Sequence, residues 1–113
     1  MEDTKKNENA KKENIQEKSE NILVLEKPII FEGNEVKEID LTSLEEATTN
    51  DLVKARRMVM ANSFNPEGAN LERTVEFSCY LASVVTNKPV ELFCKLKAVD
   101  GMNLRRMVMS FLF

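Results

Sequence analysis

Two arginine pairs are the residues whose spacing speaks most clearly of binding chemistry. Arg56-Arg57-Met58-Val59-Met60 recurs as Arg105-Arg106-Met107-Val108-Met109, and Asp51 and Asp100 stand at the same offset. Ala55, Met58 and Val59 fall at i, i+3 and i+4, as do Leu104, Met107 and Val108, so each run draws an apolar stripe along a helix. The recurrence reads either as two unrelated amphipathic helices or as a pseudo-repeated helix that meets similar surfaces. Methionine is unbranched and adaptable, so a face rich in it suits partners of varied shape as well as ordinary core filling.

Catalytic chemistry has little to work with. The sequence has no histidine, which removes the commonest general acid/base and the commonest metal ligand. Glycines stand only at 33, 68 and 101, and there is no Gly-rich phosphate loop, nucleophile elbow or CxxC. Cys79 and Cys94 lie in apolar stretches without a disulfide or metal spacing, and read as buried or half-buried thiols in a reducing cytosol. We therefore expect a binding protein rather than an enzyme, with no cofactor, no metal and no catalytic residues. The candidate partner-binding residues are Met58, Val59, Leu104, Met107, Val108, Phe111, Leu112 and Phe113. Phe111 to Phe113 are included because so apolar a segment must dock on its own domain or on a neighbour.

The elements that must carry these residues can be read from the pattern. Residues 1–20 alternate Lys, Glu and Asn with few apolar side chains, and are expected to form a disordered charged arm. The remaining residues, 21–113, are expected to fold as one domain of α+β class, an N-terminal β-hairpin followed by a small bundle of about four helices. Ile22 to Phe31 is rich in β-branched residues and predicts a strand that lies at an edge or breaks at Pro28. Glu32-Gly33-Asn34-Glu35 signals the turn, and Val36 to Leu41 the return strand. A two-residue Gly33-Asn34 turn would oppose Phe31 to Val36 and Glu32 to Glu35, a mildly unfavourable pairing that leaves room for a longer loop.

A short helical turn is expected over Leu44 to Ala47, then helices over about 51–62, 71–86, 89–97 and 100–113. Thr48, Thr49 and Asn50 are N-cap candidates for the first, and residues 63–68 form the loop after it. The second is apolar nearly all round from Phe77 to Val85, which places it in the core or between subunits. Asn87 is expected to cap the third helix, with Pro89 in its first turn, and Asp100 to cap the last.

Charge is unevenly spread. Residues 21–50 hold seven acids and two lysines, whereas residues 51–113 hold six acids and nine bases. The bases are diluted by acids and the phenylalanines sit in apolar runs, so the concentrated basic face of a nucleic-acid binder is missing. Head-to-tail self-association through Arg56, Arg57, Arg105 and Arg106 fits the split. No apolar run approaches the roughly 20 residues of a membrane span, and no secretory signal or membrane partner is expected.

The stretch Leu25 to Leu41, with Lys27-Pro28-Ile29-Ile30-Phe31-Glu32-Gly33 followed by an acidic return strand, resembles the opening of the phage tail assembly chaperone family. Thr49-Asn50-Asp51-Leu52 resembles that family's next helix start, with Asn50 near a position where glycine is frequent. Pro89-Val90-Glu91-Leu92 through Asp100, and Val108 to Leu112, resemble its closing helices. The resemblance spans about residues 22–113. It implies a protein that binds the tape measure protein, a long helical client, keeps it soluble in the host bacterial cytoplasm during tail assembly, and is absent from the mature virion. A minor structural or connector component of a tail, or a small nucleic-acid-binding regulator, are the alternative readings.

Overall fold

The computed structural model describes residues 21–62 and 70–113. The expected arm at 1–20 and the expected loop at 63–68 lie outside them. β1 (Ile22–Phe31) and β2 (Asn34–Asp40) form an antiparallel hairpin. A 3₁₀ turn (Thr42–Glu46) leads to α1 (Thr49–Asn62). A second 3₁₀ turn (Leu71–Arg73) precedes α2 (Val75–Thr86), then come α3 (Val90–Cys94) and α4 (Ala98–Leu112). The α+β class, the hairpin and the four following helices are as the sequence predicts.

α2 is the centre of the core. Phe77, Leu81 and Ala82 have no exposed surface, and the hydroxyl of the equally buried Ser78 donates to the Thr74 carbonyl. α1, α3, α4 and both 3₁₀ turns pack on it, while α4 also packs on β1. A helix surrounded on most sides has no face left for polar residues, which is why its sequence lacks a clear stripe.

The hairpin departs from the expected register. Its turn is Glu32-Gly33, with φ of 51° and 83°, the positive pair a type I′ turn requires. Phe31 therefore faces Asn34 and Ile30 faces Glu35, which avoids setting two glutamates against each other. Farther along, Val24 pairs with Glu38 but Ile29 pairs with Val36, so Leu25 to Pro28 stand opposite Lys37 alone. This wide bulge lets both Leu23–Ile39 and Ile29–Val36 turn inward although Val36 and Ile39 are three residues apart. It also places Pro28, which has no N–H, where no ladder bond is needed.

Helix boundaries differ from expectation for definable reasons. The stretch expected as one helix over 71–86 is broken at Thr74, which is extended. Thr74 Oγ1 accepts from Phe77 N at 3.1 Å and donates to Leu71 O at 2.8 Å, capping one helix while closing the turn before it. Asn87 is not the cap of the next helix; at φ 60° it ends α2 in the left-handed conformation asparagine tolerates. Pro89 takes the N-cap position of α3, which spans only Val90–Cys94. The last helix begins at Ala98, before Asp100, so Asp100 lies inside its first turn rather than at its cap.

Candidate functional site

The internal repeat proves to be a repeat of environment. α1 and α4 both pack on α2. Ala55 and Leu104 are fully buried, as are Val59 and Val108, and Met58 and Met107 are half-buried. The outward residues correspond too: Val53, Arg57 and Met60 on α1 occupy the positions of Met102, Arg106 and Met109 on α4, the last being half-buried. The shared sequence thus lays two helices on one central helix in the same rotational setting.

Within each arginine pair the two residues point to different surroundings, as the 100° step of a helix demands. Arg56 is ion-paired with Glu72, and Arg105 Nε donates to the Arg73 carbonyl at 2.5 Å. Both first arginines therefore clasp the same 3₁₀ turn at the head of α2. Self-association is expected of all four arginines, and two of them, Arg56 and Arg105, have these contacts within the chain. Arg57 and Arg106 are exposed, and Arg106 donates to Asn103 Oδ1 at 2.6 Å on its own helix.

The paired aspartates also part ways. Asp51 forms a reciprocal cap, accepting from Thr48 N at 2.9 Å while its own N–H donates to Thr48 Oγ1 at 3.2 Å. Asp100 has no exposed surface and reaches the hairpin instead. Its Oδ1 accepts from Glu26 N at 2.8 Å and its Oδ2 from Lys27 N at 3.0 Å. Those two N–H groups belong to the bulge and have no ladder partner, so the carboxylate at the positive end of α4 completes them. Nothing in the sequence reading marked this clamp. The available signal was a strand containing Lys-Pro together with an acid that opens an otherwise apolar helix.

The predicted partner-binding residues fall into three environments. Val59, Leu104 and Val108 are core residues, and the expectation that they face a partner is corrected here: they are the i, i+4 positions turned directly onto α2. Met58 lines a shallow depression between α1 and the turn after α2, with Lys54, Val84 and Pro89. Met107 lines a separate open groove between α4 and β1, with Ile22, Val24, Asn103 and Arg106. At the end of α4, Leu112 is half-buried against the core, Phe111 is 37% exposed and Phe113 is 65% exposed. The Arg73 guanidinium lies 3.9 Å from the Phe113 ring centroid, holding that ring in place through one face. The structure therefore places Met107 and Phe111 at different points of α4 and Phe113 just past its end, and leaves Met58 on another helix.

Reactive side chains are sparse among the described residues. No group of three or more acids and cysteines is set to hold a metal ion. Cys79 is buried and Cys94 exposed, both as free thiols. Burial pushes the Cys79 thiol up to about 12, with the neighbouring Cys94 and Glu76 adding to the effect, so it is inert as a nucleophile near neutral pH. No helix among these residues is long and apolar enough to cross a membrane. Comparison with family models, with curated proteins and with solved structures found no match.

Proposed function

We propose that this protein is an assembly chaperone of the tailed-phage type, which binds amphipathic helical segments of a tape measure protein and keeps that client soluble until the tail tube encloses it. The observation that carries the reading is the accessible apolar surface along and beyond α4: Met107 lines an open groove against β1, and Met102, Phe111 and Phe113 are exposed elsewhere on the helix and at its end. A helix presenting side chains at i, i+3 and i+4 lays them into grooves of this kind. The unbranched, adaptable Met107 lets the groove follow clients of different shape.

On this reading the protein acts in the host cytoplasm and leaves before the virion is complete. Co-expression with the tape measure protein of the same phage tests it. The client should be soluble with the wild-type chain and should precipitate with the Phe111→Asp, Phe113→Asp variant, whose substitutions lie at exposed positions. A client equally insoluble with and without the wild-type chain overturns the proposal. Recovery of the protein from purified virions would favour a structural tail component instead.

A further inference from the structure

The outward surfaces of the hairpin and of α1 correspond in charge, polarity and spacing. Away from the core, the hairpin displays the cross-strand pairs Val24–Glu38 and Ile30–Glu35. Val24 and Ile30 are 62% and 64% exposed, so each outward apolar side chain stands beside a carboxylate. The bulge brings the pairs together: they are three residues apart along β2, about 10 Å at ~3.3 Å per residue. On α1, Val53 and Met60 are exposed and seven residues apart, about 10.5 Å at ~1.5 Å per residue. Arg57 stands between them on the same face. Among the described residues the ion pairs are Lys37–Glu35 and Arg56–Glu72, neither of which involves Arg57.

Within one chain these surfaces form no packed interface, since the hairpin packs on α4 and α1 on α2. We propose that the outer face of the hairpin of one copy docks on the Val53-Arg57-Met60 stripe of a second copy. Val24 and Ile30 then cover the two apolar side chains of α1, and Glu35 and Glu38 flank the guanidinium. The wider charge balance runs the same way, with seven acids against two lysines in residues 21–50 and nine bases against six acids in residues 51–113. The equivalent stripe on α4 is the poorer acceptor: Arg106 is bonded to Asn103, Met109 is half-buried, and the same chain's Val24 lines the groove beside it. Because donor and acceptor are different patches, the contact is head-to-tail and propagates into short open chains. The proposal rests on self-complementarity alone and stands apart from the identity of any client.

Sedimentation velocity of the full 113-residue chain tests it. At about 0.05 M salt the weight-average mass should rise with protein concentration, and at about 1 M salt it should fall toward the monomer. Arg57→Glu, at an exposed position whose fold is checked by circular dichroism, should weaken association roughly tenfold or more. The Glu35→Arg, Glu38→Arg, Arg57→Glu triple variant reverses both sides and should associate again. A wild-type chain that stays monomeric at low salt, an Arg57→Glu variant that assembles as wild type does, or a triple variant that remains monomeric overturns the proposal. Loss of assembly in Arg106→Glu with Arg57→Glu unaffected overturns it as well, by moving the contact to α4.

Discussion

Asp100 and Asp51 occupy equivalent places in the repeat, yet their carboxylates do unequal work. Asp51 caps an exposed helix start, where a lost cap costs about 1 kcal/mol. Asp100 satisfies two N–H groups that the bulge has removed from the ladder, and hydrogen bonds to a charged acceptor contribute about 1.5–3 kcal/mol each. Asp100→Ala should therefore lower unfolding free energy by about 3 kcal/mol, and Asp51→Ala by about 1 kcal/mol, as read from urea midpoints. Equal losses would mean that the clamp adds nothing beyond helix capping. The two thiols make a second contrast. At pH 8 an alkylating reagent should label exposed Cys94 in the native chain and leave buried Cys79 unlabelled until denaturant is added, a result that intact-mass spectrometry reads directly. The raised pKa of Cys79 also fixes a sign. Its folded-state value of about 12 lies above the ordinary thiol value of 9.0, so stability tied to the neutral thiol is complete below about pH 9 and is lost as pH rises toward 12. Cys79→Ser should be less sensitive to that alkaline window.

At the scale of elements, much of the fold was legible and the misreadings have local causes. Periodicity located α1 and α4, a β-branched run located β1, the turn signal after it located β2, and the all-round apolar stretch pointed to the core or a subunit boundary for α2, which stands at the centre of the core. The break at Thr74 was hidden because Leu71-Glu72-Arg73 continues a helical pattern, whereas the Thr74 cap and the turn's contacts with Arg56 and Arg105 set it apart. The hairpin turn was placed one residue late because Gly33-Asn34 looks like the better pair. Glu32 instead accepts a positive φ, since the register this permits keeps the Ile29–Val36 pair on the core side. That choice leaves strain that substitution can relieve. Glu32→Asn supplies a residue that tolerates the left-handed region before Gly33, and should raise stability by about 0.5–1 kcal/mol in thermal or urea unfolding. Gly33→Ala, with no atom within 4 Å of its added Cβ, should lower stability through backbone conformation alone. Of the proposed site, the sequence disclosed which helices matter but not which side of each. Val59, Leu104 and Val108 belong to the same stripes as Met58 and Met107, and the division between buried seam and accessible edge is set by how α2 lies between the helices.

The whole molecule joins a tightly packed centre to an apolar end that is only partly covered, and one truncation separates the roles of that end. Leu112 is half-buried on the core and Phe113 is held beneath Arg73, whereas Phe111 contributes an accessible ring. Removing residues 111–113 forfeits a cation–π contact of about 0.5–1 kcal/mol and partial burial of one leucine, about 1 kcal/mol. It leaves Val108, Leu104 and the α2 seam intact, so the fold should survive with a loss of about 2 kcal/mol. If the end serves only to seal the core, client solubilisation should fall no further than that loss of stability explains, and Glu32→Asn added to the truncation should restore part of it. If the end contacts the client, solubilisation should be lost even where circular dichroism shows a folded chain and the stabilising substitution is present. Val108→Asp cannot serve this purpose, because an aspartate at a fully buried position unfolds the seam before any partner is tested. The double comparison, truncation with and without Glu32→Asn, therefore decides whether the exposed aromatic end of α4 is a lid on its own core or a surface offered to another chain.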